Sequence, residues 1–128
     1  MLFNHVALVC SSERHCDHFY QKVLGLDKLP SKVLSAEMSK KIFDRKEEYP
    51  LIYYGNEAIK FEIFLSAHSD FKAKRISHTC LEIEERESIF DRCASEGFDT
   101  VNIPREGSSD LLFVKDHDGN LFELKEKP

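Results

Sequence analysis

The sequence predicts an α+β fold in which one strand–helix–strand–strand–strand unit, βαβββ, is written twice in tandem. Three observations carry that reading. The stretches "NHVALVCSSERHCDHFYQKVLGLD" and "SHTCLEIEERESIFDRCASEGFD" match in order, each running from a histidine through Ser/Glu-rich residues into an apolar stripe that stops at glycine. A short strand broken near Pro30 or Pro104 follows in each copy. Two further strands close each copy, "LIYYG" with "AIKFEIFL" in the first and "LLFVKD" with "NLFELKE" in the second.

Taken in order, His5 and His78 open strand-like runs. In the first helix Cys16, Phe19, Tyr20, Val23 and Leu24 fall at i, i+3, i+4, i+7 and i+8, with Ser12 as N-cap and Gly25 as the stop. In the second, Ile89, Phe90, Cys93 and Ala94 repeat the stripe, which ends at Gly97. The final strands turn at Asn56-Glu57 in the first copy and at His117-Asp118-Gly119 in the second, where Asp-Gly is a hairpin signal. The first module is expected over 1–66, a polar joint over 67–75 and the second module over 76–128. Residues 35–48, "SAEMSKKIFDRKEE", have no counterpart in the second copy and read as either a short helix or a flap over the site.

At 128 residues the chain is one domain long, enough to bury a core without disulfides. A net charge of -5 and no dense Lys/Arg patch argue against nucleic acid or an anionic membrane as the main partner and leave a small molecule or a protein. No segment approaches the roughly 20 apolar residues of a membrane span and no leader opens the chain, so a cytoplasmic location is expected. Cys10, Cys16, Cys80 and Cys93 form no zinc spacing and read as reduced, apolar filler.

The stretch "KFEIFL" sets a carboxylate, Glu62, among Phe61, Ile63, Phe64 and Leu65. Unpaired burial of that charge would cost several kcal/mol, so it either faces water or meets a cation. "LFELKE" repeats the pattern with Glu123. Strand alternation puts Glu62 with Lys60 and Phe64, Glu123 with Leu121, His5 with Ala7 and Val9, and His78 with Cys80 and Glu82, each opposite a more apolar set. If the two copies pair so that their sheets curve together, His5, Glu62, His78 and Glu123 meet in one cup. Two imidazoles and two carboxylates form a borderline-hard donor set suited to Ni, Zn, Co, Mn or Fe, with two octahedral positions left for water or substrate. Taken singly, a strand glutamate usually faces solvent and a strand histidine is usually structural; their recurrence in both copies favours the metal. His15 and His18 lie at i and i+3 on a polar helix face with no third ligand and read as solvated, as do His68 in the joint and His117 in a turn. Lys60, Tyr53, Tyr54, Phe64, Arg105 and Lys115 are further candidates for the pocket wall.

Together, "NHVALV", "FYQKVLGL", "FEIFL", "SHTCLEI" and "FVKDHDGNLFEL" resemble the vicinal oxygen chelate superfamily of glyoxalases, bleomycin-resistance proteins and extradiol dioxygenases, over nearly the whole chain. The resemblance implies a single glyoxalase-like domain over 1–128, with two βαβββ modules forming a cupped mixed sheet and helices on its outer face. In the lactoylglutathione lyase branch a histidine at the head of each module and a glutamate in its last strand hold a divalent metal, and His5, Glu62, His78 and Glu123 fill those places. The implied reaction is of lyase or isomerase type, in which the metal stabilises an enolate of a small oxygenated substrate while a glutamate moves the proton. By resemblance that glutamate is Glu123, with Glu62 the alternative. A homodimer is also implied, with ligands drawn from one chain or from both.

Departures narrow the substrate. Lyases acting on glutathione adducts generally carry arginine four residues after the first histidine and asparagine four after the first glutamate, and here those places are Val9 and Ser66. Glutathione recognition is therefore not expected, and another keto or acyl substrate, a thiol transfer to an epoxide or an epimerisation would keep the metal and change the pocket. Fosfomycin enzymes and dioxygenases use three protein ligands, and acyl-CoA epimerases usually place glutamine at the position of Glu62, so the complete set favours the lyase side. The competing reading is a metal-free drug- or ligand-binding resistance protein of the same fold; those members generally lack the ligands present here.

Overall fold

The computed structural model describes residues 2–68 and 76–128. Of the expected joint, all but residues 67 and 68 lies outside the described residues. The chain divides into two compact units, Met1–Phe71 and Lys72–Pro128, and each carries one copy of the repeat.

In the first unit β1 (Val6–Cys10) is followed by a helical turn α1 (Glu13–Cys16) that continues as a π-helical stretch, Asp17–Val23. Then come β2 (Asp27–Leu34), α2 (Ala36–Phe43), β3 (Tyr49–Gly55) and β4 (Lys60–Leu65). The sheet order is β1-β4-β3-β2, with β1 parallel to β4 and the other pairs antiparallel. The second unit repeats this with β5 (Thr79–Ile83), α3 (Arg86–Ser95), β6 (Thr100–Ile103), β7 (Leu111–Lys115) and β8 (Leu121–Glu126), ordered β5-β8-β7-β6. Again the first strand of the unit is parallel to the last and the rest is antiparallel. Two tandem βαβββ modules are therefore the observed architecture.

Local chemistry explains most element ends. Ser12 Oγ accepts the His15 N–H, and Gly25 takes the left-handed conformation, φ 72°, that ends the first helical segment. Within that segment the ladder widens, with the Leu24 N–H reaching the Phe19 carbonyl, and Cys16, Phe19, Tyr20 and Val23 are all buried. They pack on the even-numbered face of β3 and the odd-numbered face of β4, where the Tyr20 ring lies 5.4 Å from Tyr54 and 5.3 Å from Phe61. Each such fully buried aromatic removes enough apolar surface to contribute roughly 1.5–3 kcal/mol. The β2 register shifts between Leu29 and Lys32, around Pro30, because proline cannot donate to the ladder.

Some expectations hold and others are corrected. The charged stretch after β2 takes the helical one of its two expected forms, α2, N-capped by Ser35, and its last residue Phe43 packs edge-on against Phe64 at 5.5 Å. Phe64 shares its strand face with Glu62, so α2 covers the Glu62 side of the first sheet. Helix α3 starts at Glu85 in the left-handed region, φ 56°, with no cap from a local side chain; its first N–H groups are met by Glu126 of β8 instead. Of its expected stripe only Cys93 is buried, Ile89 and Phe90 are half-buried, and Ala94 is exposed. None of the four cysteines is in a disulfide; Cys10, Cys16 and Cys93 are buried, whereas Cys80 is exposed. The β3–β4 loop spans four residues, 56–59, because Asn56 Oδ1 accepts the N–H groups of both Ala58 and Ile59 and the ladder resumes at Gly55 opposite Lys60.

Candidate metal centre in two copies

Parallel pairing of the first and last strands of each unit builds the candidate site. Ala7 of β1 lies opposite Glu62 of β4, and His5, two residues before Ala7, stands just ahead of the strand on the same side. His5 Nε2 is 3.7 Å from Glu62 Oε1. In the second unit Cys80 of β5 lies opposite Glu123 of β8, and His78 Nε2 is 3.3 Å from Glu123 Oε2. The structure thus brings the four predicted ligands together as two pairs, one in each unit. The glutamate side chains are only 16% and 14% exposed, while the residues flanking them in sequence, Phe61 and Ile63, Phe122 and Leu124, are fully buried on the helix face.

The His78–Glu123 spacing is one that a shared ion allows, and the His5–Glu62 spacing is slightly wider. A separation of 3.7 Å is beyond hydrogen-bond length, and 3.3 Å is long for a charged one. With metal–donor bonds of about 2.0–2.2 Å, neighbouring ligand atoms in one coordination sphere stand about 3–3.5 Å apart. In the first unit His5 Nδ1 lies 2.7 Å from Asn4 Oδ1, an acceptor, which fixes the ring's orientation and leaves Nε2 as the nitrogen toward Glu62. Asn4 was not singled out in the sequence, although its place beside the histidine is the available signal.

The neighbours differ between copies. Across the β3–β4 ladder Tyr53 lies opposite Glu62, and its hydroxyl donates to Glu62 Oε2 at 2.7 Å. Burial, and then the bond to Glu62, push the Tyr53 phenol up to about 12, so it remains a donor throughout the neutral range. Lys32 Nζ lies 5.9 Å from the centre of the same ring. Across the β7–β8 ladder the corresponding residue is Phe113, which has no hydroxyl; its ring meets the edge of His78 at 6.0 Å. Cys80 shares the Glu123 side; although the residue is exposed as a whole, partial desolvation of its thiol, followed by the Glu123 charge, pushes the thiol up and disfavours the thiolate needed of a nucleophile. Glu123 also borders an open concavity of about 460 Å³ in the second unit, together with Arg105, Asp110, Leu111 and Lys125.

The other wall candidates divide by strand face. Phe64 and Lys60 lie on the Glu62 side by alternation, and Lys115 on the Glu123 side, paired with Leu121. Arg105 reaches the concavity wall while its Nε donates to the Ser109 carbonyl. Tyr54 is a correction: it faces the helical segment, where its hydroxyl donates to Asp17 at 2.6 Å. His15 is exposed and His18 half-buried. His68 Nε2 lies 3.4 Å from Glu47, and the exposed His117 ring lies 4.5 Å from Phe98.

With this geometry in place, comparison with known proteins assigns the family. The model of the Glyoxalase/Bleomycin resistance protein/Dioxygenase superfamily matches residues 2–124. The chain belongs to this superfamily. No curated protein sequence matches this glyoxalase-superfamily chain. Among solved structures, a glyoxalase family protein from Enterococcus faecalis is 21% identical, with 98% of this chain and 97% of that one covered and a TM-score of 0.69. The fosfomycin resistance protein FosX from Listeria monocytogenes is 15% identical over 100% of this chain and 94% of its own, with a TM-score of 0.74. FosX complexed with Mn(II) and sulfate is 16% identical, covering 98% of this chain and 90% of that one, at a TM-score of 0.71. At such identities the likeness is one of fold. Among the described residues no helix of this superfamily member is long and apolar enough to cross a membrane.

Proposed function

We propose that this glyoxalase-superfamily chain is a divalent-metal enzyme of lyase or isomerase type that moves a proton between neighbouring carbons of a small oxygenated substrate. His5, Glu62, His78 and Glu123 are its protein ligands. The observation that carries the reading is the recurrence of one His–Glu pair at the same strand positions of both units, each glutamate largely buried and facing an imidazole at 3.7 or 3.3 Å. Two carboxylates and two imidazoles form a donor set whose chemistry fits Ni, Zn, Co, Mn or Fe. When bound, the ion supplies Lewis-acid stabilisation where negative charge develops on substrate oxygen.

The chain's own residues divide the rest of the work. Asn4 orients the His5 ring through Nδ1. Tyr53 occupies one oxygen of Glu62. Glu123, with no tyrosine at the equivalent position and an open concavity beside it, takes the proton at a carboxylate oxygen and returns it to the adjacent carbon.

Elemental analysis of untagged protein tests this reading, beside a Glu62→Gln/Glu123→Gln variant. The expected result is near one divalent ion per chain, lost in the variant; because FosX has been seen with Mn(II), Mn(II) leads the reconstitution series. Methylglyoxal with glutathione opens the substrate screen and is expected to be inactive, since Val9 and Ser66 stand where glutathione-using lyases place arginine and asparagine. Fosfomycin and free keto acids follow. Failure to bind any of the five metals would transfer the chain to the metal-free ligand-binding reading.

A further inference from the structure

The two repeats place a different aromatic residue opposite each glutamate, and that difference carries a consequence for the two carboxylates. In the first unit the β3–β4 register sets Tyr53 against Glu62, and in the second the β7–β8 register sets Phe113 against Glu123. The Tyr53 hydroxyl donates to Glu62 Oε2 at 2.7 Å, while Glu62 Oε1 faces His5. Glu62 therefore has one oxygen committed to the protein and one directed at the imidazole. The Tyr53 ring is itself held: it is only 9% exposed and packs in a cluster with Tyr49, Leu51, Leu29, Leu34 and Phe64. A donor on a buried ring in a sheet interior is a rigid anchor, because moving it would disrupt the packing around it. Phe113 offers Glu123 no such bond.

We infer that Tyr53 is a positioning residue that locks Glu62 as a fixed carboxylate ligand, through a bond that Phe113 cannot offer Glu123. The inference rests on the proposed metal site. The two glutamates differ in their cross-strand partners: Glu62 has a phenol hydroxyl on a buried ring, and Glu123 has the weaker donor of the Cys80 thiol. Hydrogen-bonded partners of ligating carboxylates typically contribute 10–100-fold to metal affinity.

The test is Mn(II) affinity, measured by competition with a chromophoric chelator, in the wild type, in Tyr53→Phe, and in the swap Tyr53→Phe/Phe113→Tyr. Thermal unfolding of each metal-free protein controls for folding. Tyr53→Phe keeps the ring and is expected to bind Mn(II) 10–100-fold more weakly with little change in the metal-free unfolding midpoint. The swap moves the hydroxyl to the equivalent register position and is expected to recover most of that loss. Mn(II) binding by Tyr53→Phe within twofold of the wild type overturns the inference while leaving the metal site standing, and so does a loss that persists undiminished in the swap. A wild type that binds no Mn(II) or other divalent ion overturns the proposed function and this inference together, so the two failures are distinguishable.

Discussion

Asp17 shows how one side chain can tie a helical segment to a sheet. Its carboxylate accepts from the buried Tyr54 hydroxyl at 2.6 Å and from Lys28 Nζ at 3.1 Å. Burial alone would raise the Asp17 pKa, but the bonds from Lys28 and Tyr54 outweigh it and hold the carboxyl below its ordinary value. A folded pKa below the unfolded one stabilises above about pH 4 and loses that contribution as pH falls through the folded value. Asp17→Asn is therefore expected to lower stability at pH 7 by about 1 kcal/mol, a modest figure because the side chain is 38% exposed. Urea unfolding at pH 7 and at pH 3 checks this: the gap between variant and wild type should narrow at the lower pH, and a gap independent of pH would point to packing instead. Cys93 illustrates the opposite environment, where burial pushes the thiol up to about 11 and leaves it inert filler.

At the scale of an element, the start of α3 depends on a residue far away in sequence. Glu126 Oε1 and Oε2 each accept at 3.0 Å, from the N–H groups of Glu85 and Arg86. This carboxylate does the work usually done by a local Ser or Asp at the N-cap, and its charge complements the positive end of the helix. Glu126→Ala should accordingly cost about 1–2 kcal/mol. Glu85→Gly should be neutral or stabilising by up to about 1 kcal/mol, since Glu85 adopts the left-handed conformation in which glycine carries no Cβ penalty. Thermal unfolding of the two variants should shift the midpoint in these different directions; equal losses would mean that the Glu85 side chain itself supports the helix. The β3–β4 loop is a second case of element-level control. Asn56 holds the backbone of Ala58 and Ile59, and Gly55 has no room for a Cβ, which would stand 2.7 Å from the Ile59 carbonyl. That tight loop decides which residue of β3 lies opposite Glu62.

At the scale of the whole molecule, the chain is two units whose sheets are each held by ladders within the unit. A ligand that binds only the folded state raises stability by RT ln(1 + [L]/Kd), about 2.7 kcal/mol at a hundredfold excess over Kd. Because the proposed ligand set takes two residues from each unit, saturating Mn(II) is expected to slow amide hydrogen exchange in β4 and in β8 alike. Hydrogen exchange read by mass spectrometry checks this; protection confined to one of these strands would mean that only one His–Glu pair holds the ion.

The sequence by itself determined the doubled βαβββ order, the superfamily and the choice of His5, Glu62, His78 and Glu123 as candidates. All of these follow from local signals: strand alternation sorts Glu62 from Phe61 and Ile63, Ser12 and Gly25 bound the first helical segment, and a repeated motif makes each half evidence for the other. Tertiary structure alone decided the non-local facts. A two-residue turn at Asn56-Glu57 would have put Tyr53 opposite Lys60; the longer loop slides the ladder by two residues, keeping the face and changing the partner to Glu62. The Glu126 cap lies 40 residues from the N–H of Arg86, beyond any local pattern. Tyr54 was an equally good wall candidate until the sheet turned it toward Tyr20 and Asp17. Periodicity shows which face a side chain takes, whereas register and folding show which atom it meets, and the asymmetry between Tyr53 and Phe113 is of the second kind.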